Sequence, residues 1–316
     1  MANKLIVSAA PHITSADSTS KIMGRVCIAL LPTLIASVLI FGFQALLLTA
    51  VTVAACVVFE YAYCKLVGRD VTISDLSAVV TGLLLAFNLP AGLPVWMSLV
   101  GAFIAIVIIK QLFGGLGYNF ANPAIVGRIA MALGFTGAMT SYTYPENGID
   151  ALASATPLAV EETAQNAGSY VTLLLGNHGG VLGETCALTL LLGGLYLIAT
   201  KVISPTIPVT YLATVAVLSL VSGRDPIYQL LSGGLMLGAF FMATDYVTSP
   251  TTTKGKIVFG LGLGVITCAI RFLGTMNEGV SFAILLMNLL VPYIEILTRQ
   301  DRLGIAKTKK KEGAAK

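Results

Sequence analysis

Residues 150–157 read Asp-Ala-Leu-Ala-Ser-Ala-Thr-Pro and sit in the longest polar stretch of an apolar chain. Asp150, Ser154 and Thr156 supply side-chain oxygens there. Thr156 ahead of Pro157 has a ready structural reading, a hydroxyl that caps a helix whose first residue is proline. A second polar set, Asn119, Asn122 and Arg128, straddles the start of an apolar run. Asn122-Pro123 reads as another cap and first helical residue, with backbone N–H groups directed at whatever precedes the helix. Arg128 is ionisable within an apolar span, where such groups face a cavity or a partner. A structural ion pair with Asp245 is one answer and a bound anion is the other. Thr244, Asp245 and Thr248 close a further run, with Asp245 either a solvated helix-end charge or part of a ligand or ion site. No catalytic triad or metal-ligand cluster is visible, so any redox chemistry must be carried by a bound cofactor.

The five cysteines, Cys27, Cys56, Cys64, Cys186 and Cys268, have no C-x-x-C spacing and fall mostly in apolar runs, which reads as packing. Cys27 and Cys186 each open one half of the chain and would supply two metal-cluster ligands if they met, too few for a complete site. His12 stands in a polar N-terminal segment and reads as a surface residue. That segment has no secretory h-region, so the first helix must serve as the insertion signal.

The elements that must position these residues are membrane helices. Of 316 residues, 56% are hydrophobic and 11% charged, and the mean hydropathy is +0.88. A soluble domain carries about 25% charged residues, so this surface cannot be mostly wet. A spanning helix needs about 20 mostly apolar residues. On that measure spans are predicted near 22–42, 45–65, 72–89, 94–113 and 121–138, then near 184–203, 207–222, 228–247, 255–273 and 279–298. The predicted segments are therefore a polar N-terminal stretch 1–21, a half 22–138, a loop 139–183, a half 184–298 and a basic tail 299–316.

Charge gives the orientation. With a cytoplasmic N-terminus, the inside segments hold Lys4, Lys21, Arg25, Lys65, Arg69, Lys110, Lys201, Lys254 and Lys256, then the tail from Arg299. Outside stands Arg224, with Arg271 near a membrane edge. That bias places both termini in the cytoplasm. Lys309-Lys310-Lys311 then faces lipid headgroups and implies no nucleic acid partner.

The two halves repeat weakly. Thr81–Asn88 resembles Gly233–Phe240 in place and texture, and Leu116-Gly117-Tyr118-Asn119 has a counterpart in Leu273-Gly274-Thr275-Met276-Asn277. Five spans per half is an odd number, so the second half lies inverted. Inverted repeats place ligand sites near the midplane where the halves meet, which by itself favours a transporter or channel. The expected fold is all-α and integral to the membrane, ten helices in two inverted five-helix repeats, similar to urea transporters. The loop 139–182 holds no Lys or Arg but carries Glu146, Asp150, Glu161 and Glu162, in keeping with an external position.

Asp150-x-x-x-Ser154-Ala155-Thr156 resembles the acceptor motif of bacterial flavin transferases, which join FMN phosphate to a threonine hydroxyl. The motif is similar to those of membrane subunits in two related respiratory complexes: the B subunit of the sodium-pumping NADH:quinone reductase and the D subunit of the Rnf ferredoxin:NAD oxidoreductase. In the usual pattern Ser or Thr stands where this chain has Ala153, and often Gly where it has Ser154. Three further segments resemble the Rnf D subunit: Ala10-Pro11-His12 through Met23 with Ala29-Leu30-Leu31-Pro32; Asn119-Phe120-Ala121-Asn122-Pro123-Ala124 with Arg128; and Phe241–Pro250, with Tyr246 where Pro is common. The length also suits that subunit, since the quinone-reductase subunit is longer at its N-terminus.

The resemblance implies a flavoprotein subunit of an ion-translocating oxidoreductase in the bacterial inner membrane. It implies FMN covalently held on Thr156, and electron flow between ferredoxin and NAD coupled to movement of Na+ or H+. It leaves room for riboflavin or another second flavin, with His12 as a contact to it or to a neighbouring subunit. Ser154, Asp150, Arg128, Asn119, Asn122, Thr244, Asp245 and Thr248 are the implied flavin neighbours. Arg128 would stabilise the reduced, anionic ring or the phosphate. The implied partners are the other Rnf subunits (A, B, C, E and G) and a flavin transferase. NAD and ferredoxin sites are expected elsewhere, because this chain has neither a Cys-rich cluster motif nor a nucleotide-binding glycine loop. A urea-transporter-like channel without redox function stays open beside it, as does the quinone-reductase subunit.

Overall fold

Apolar runs of this length can hold their backbone hydrogen bonds only within helices, and the chain obeys that constraint. A computed structural model describes residues 17–142, 158, 170–176, 178–274 and 279–299. Among the described residues the secondary structure is helical, apart from one isolated antiparallel bridge between Pro90 and Val181. The first half contains α1 (Thr19–Phe41), α2 (Phe43–Val67), α3 (Ser77–Phe87), α4 (Val95–Gln111) and α5 (Pro123–Gly134). A short α6 (Tyr170–Leu175) lies between the halves. The second half contains α7 (Ala187–Ala199), α8 (Thr206–Val221), α9 (Pro226–Leu231), α10 (Leu235–Leu237, continued by Gly238–Met242), α11 (Thr253–Leu273) and α12 (Val280–Thr298).

Each of the ten predicted spans contains a helix, but not each is a full crossing. α1, α2, α11 and α12 are long and apolar enough to cross a membrane alone, by length and composition. α3 has 11 residues and α5 has 12. At 1.5 Å per residue these reach roughly 16–18 Å, well short of a bilayer core of about 30 Å. The eighth predicted span is broken, because Ser232-Gly233-Gly234 interrupts it and Gly233 takes φ +65. Hydropathy could not reveal this. It sums apolarity over a window and is blind to whether a segment is sheathed by lipid or by other helices.

The packing repeats between the halves. α2 packs on α3 and α4, α4 on α5, α1 on α3, and α3 on α5; correspondingly α8 packs on α10 and α11, α11 on α12, α7 on α10, and α10 on α12. Across the boundary α1 meets α7 and α5 meets α12. The short helices α3 and α10 are the same two segments whose sequences resemble each other. Glycine permits the closest approaches. A Cβ on Gly193 would clash with the carbonyl of Ala29, and one on Gly194 would clash with the Phe240 ring. The outer surface is greasy, with Leu39 81%, Leu66 86% and Leu273 88% exposed, as a lipid-facing belt requires.

Candidate functional site

Two polar centres lie inside this apolar scaffold, at opposite ends. The near end carries the start of α1, and the far end carries the start of α7.

At the near end, an open cleft runs between the halves. Its walls come from the first turns of α1 and α3, the end of α4, the loop before α5, and the stretch from α10 through Val247. Asn119, Asn122, Thr244 and Asp245 all face it. Asn122 is the predicted cap of α5: its Oδ1 accepts from the Ala124 N–H at 3.0 Å, and Pro123 is the first helical residue. The Asn122 amide also donates to the Met242 carbonyl at 3.3 Å, tying the two halves together. The Thr248 hydroxyl donates to Asp245 Oδ2 at 3.1 Å. Asn288 of α12, with its amide turned to suit its neighbours, accepts from the Asn122 N–H at 3.2 Å and donates to the Thr248 carbonyl at 3.0 Å. Asn122, Thr248 and Asp245 are thus linked through Asn288, and Asn119 and Thr244 face the same cleft. Asn119 Oδ1 is buried there without a hydrogen-bond partner among the described residues. Tyr246, the departure from the family pattern, donates its hydroxyl to the Val202 carbonyl.

Both π-helical segments of the described chain border this cleft. The last eight residues of α4, Ile104–Gln111, and the end of α10, Gly238–Met242, are wound this way. Such wide turns recur at functional sites because they redirect side chains from the regular helical face. The first delivers Lys110 to the cleft wall and the second delivers Phe240 and Phe241.

Lys110 corrects the sequence reading. Its place at the end of an apolar run sets it among the inside loop charges, yet it is 2% exposed and its Nζ pairs with Glu60 Oε2 at 2.7 Å. A paired, buried lysine does not report topology as a free loop cation does. The remaining inside lysines and arginines carry that argument without it.

Arg128 belongs to the other centre. Its guanidinium donates to Ser281 Oγ at 2.5 Å and lies 3.5 Å from Glu184 Oε1, and both charged groups are buried. The anticipated ion pair with Asp245 is therefore replaced by one with Glu184. Arg128 lies along α5 toward the far end, whereas Asp245 follows α10 at the near end. Arg271 also faces Glu184 and donates to the Gln229 and Ser232 carbonyls at 2.8 and 3.1 Å. The Gly233-Gly234 break makes room for these groups, because a Cβ on Gly234 would clash with the Glu184 carboxylate. Tyr142, just beyond α5, has its phenol pushed up by burial and by Glu184, while Arg128 opposes. Among the described residues this centre brings two arginines to one glutamate. Leu158, two residues after Thr156 in sequence, is buried against Gly233 beside Arg271.

Asp150, Ser154 and Thr156 lie outside the described residues, as do His12, Asn277 and the Lys309–Lys311 tail. Cys27 and Cys186 do not meet. Gly193 packs on Ala29, which puts Cys186 about 10 Å along α7 from that contact and Cys27 on its other side. Among the described residues no three of His, Cys, Asp and Glu converge as metal ligands.

Sequence reasoning passed over Glu60, Glu184 and Asn288. The available signal was that an acid inside an apolar span is costly and so usually has a partner. Applied to Glu60, it would have linked that residue to Lys110.

A model of the NQR2, RnfD, RnfE family matches residues 6–304. The D subunit of the Na+-translocating ferredoxin:NAD+ oxidoreductase complex of Acetobacterium woodii is 47% identical over 314 residues, covering 98% of each chain. Its counterpart in the proton-translocating ferredoxin:NAD+ oxidoreductase complex of Clostridium ljungdahlii is 42% identical, over 96% of this chain and 97% of that one. The D subunit of an ion-translocating oxidoreductase complex of Alcanivorax borkumensis is 37% identical, over 95% and 97%.

Proposed function

Since the chain belongs to the NQR2, RnfD, RnfE family and matches Rnf D subunits along nearly its whole length, we propose that it is the membrane flavoprotein subunit of an ion-translocating ferredoxin:NAD+ oxidoreductase. In this reading the near end is cytoplasmic, both termini lie there, and the membrane is the bacterial inner membrane. FMN is joined through its phosphate to Thr156 by a flavin transferase, and the subunit hands electrons to other Rnf subunits. NAD binds elsewhere in the complex. The transported ion is Na+ or H+, and the relatives' names include both.

The acceptor segment Asp150–Thr156 carries this reading, and the far centre supports it. Leu158 fastens the chain just past Thr156 beside Arg271, where two buried arginines face one glutamate. Buried arginines in a water-poor site favour a phosphodiester or an electron-rich ring, because charge–charge attraction is weakly screened there. Arg128, held by Ser281 and Glu184, would contribute its positive charge toward that anion.

The near cleft suits a second, non-covalent flavin. Its walls are largely apolar with a few amides and hydroxyls, the kind of lining that small-molecule sites share. The unpaired Asn119 Oδ1 is an acceptor waiting for a donor such as a ring imide N–H. Asn119 and Asn122 would orient the ring, while Phe240 and Phe241 would exclude water from it. Bound flavin supplies the one- and two-electron redox chemistry that the side chains lack. A second flavin at the near end and a tethered one at the far end would let electrons traverse the bilayer within one subunit.

In-gel fluorescence after denaturing electrophoresis tests the covalent part. The chain co-expressed with a flavin transferase should fluoresce, and Thr156→Ala should not. A dark wild-type band in the presence of the transferase contradicts the proposal.

A further inference from the structure

The Glu60–Lys110 pair has no role in holding the tethered flavin, and its geometry is directional. Lys110 and Ser77 line the near cleft, whereas Glu60, 0% exposed, stands behind them. Three donors hold the Glu60 carboxylate: Lys110 Nζ at 2.7 Å, Thr72 Oγ1 at 2.6 Å and Gln111 Nε2 at 3.0 Å. Lys110 Nζ also donates to Ser77 Oγ at 2.6 Å. The Ser77 hydroxyl donates to Asp75 Oδ1 at 2.5 Å, so it must accept from the lysine. Two of the three ammonium protons are thereby placed, and the third has no partner among the described residues. The result is a fixed dipole with its carboxylate end behind the wall and its ammonium end at the cleft.

Stability does not account for such a pair, because apolar residues of similar volume often serve a core as well or better. A fixed positive end beside a redox site does account for it, since preorganised dipoles stabilise charge that develops in a water-poor cavity. Asp245, held by Thr248 and contributed by the chain just past α10, is the one acidic group among the described residues that line the same cleft. The cleft is thus polarised between two elements, cationic on α4 and acidic past α10.

We infer that Lys110 is a flavin contact that favours the reduced, anionic form of a ring bound in the near cleft. This rests on the second-flavin reading above. Glu60, Ser77 and Gln111 act through Lys110 as positioning residues.

The test uses the full-length chain carrying Thr156→Ala, so that only non-covalent flavin remains, and measures flavin content and midpoint potential by spectroscopic titration. Lys110→Met alone would strand Glu60, so the decisive variant is Glu60→Leu with Lys110→Met. It should bind reduced relative to oxidised flavin at least tenfold less favourably, a fall of about 59 mV in a one-electron couple. Glu60→Gln leaves the lysine charge uncompensated and should shift the potential upward. These opposite signs would not follow from a purely structural role. Flavin retained with unchanged potential in both variants overturns the inference and leaves the second flavin standing. A Thr156→Ala protein that holds no flavin removes the second-flavin reading, and this inference with it.

Discussion

Arg128 of α5 and Glu184 at the foot of α7 meet across the boundary between the halves, guanidinium to carboxylate at 3.5 Å, with both groups buried. One comes from each half, so the pair is a clasp at the interface as well as part of the far centre. Breaking a buried pair from one side costs about 3–5 kcal/mol, because the remaining charge is stranded. Arg128→Gln and Glu184→Gln should each lower the thermal unfolding midpoint in detergent, and the double variant should lose less than the sum. Additive losses would mean that the two residues act independently. Arg128→Gln should also slow reduction of the tethered flavin while the chain still inserts.

Asn119 should trade stability for binding. Its buried Oδ1 has no partner among the described residues, and such a group costs about 1–3 kcal/mol. Asn119→Leu is expected to raise the unfolding temperature of flavin-free protein and to reduce the non-covalent flavin that co-purifies. Unaltered flavin retention would place the ring elsewhere.

Gly194 lies against the Phe240 ring, which borders the near cleft. Gly194→Ala must push that ring aside, and overpacking of this kind costs about 1–3 kcal/mol. Loss of non-covalent flavin should accompany it, while fluorescence from the covalent flavin persists. Parallel loss of both would point to general unfolding rather than to closure of the cleft.

His178, in the loop before α7, has its imidazole pushed below its ordinary value of 6.5, chiefly by burial, with backbone contacts at Gly179 and Thr185 opposing. The unfolded chain therefore takes up a proton at a higher pH than the folded one does. The His178 contribution is fully present above about pH 6.5 and declines as pH falls below it, until the folded imidazole also titrates. His178→Gln should flatten the unfolding temperature across that acidic window. A slope as steep as that of the wild type would exclude this histidine as its source.

Much of the scaffold was legible in the chain. Apolar runs located a helix in all ten predicted spans, and Asn122-Pro123 announced a cap that the structure bears out. Spacing also grouped Asn119 with Asn122, and Thr244 with Asp245 and Thr248. What escaped was pairing at long range. Lys110 looks like a loop cation because it ends an apolar run, and only the fold reveals that Glu60, 50 residues earlier, neutralises it. Arg128 pointed to a buried partner, but the acid expected from the sequence was Asp245, and only the fold brings Glu184 to it instead. The break at Gly233-Gly234 was hidden by apolar neighbours on either side. Its purpose, room for Glu184 and Arg271, depends on residues far off in sequence.

The central claim is that Thr156 carries FMN, and the mass of the intact chain tests it most directly. No lysine or arginine lies between Arg128 and Lys201, so trypsin would leave the acceptor inside one long apolar peptide, and whole-chain measurement avoids that obstacle. Protein co-expressed with a flavin transferase should be heavier than its sequence by one FMN less one water, and Thr156→Ala should return to the unmodified mass. A wild-type chain at its sequence mass, or a Thr156→Ala chain that keeps the adduct, would contradict the account.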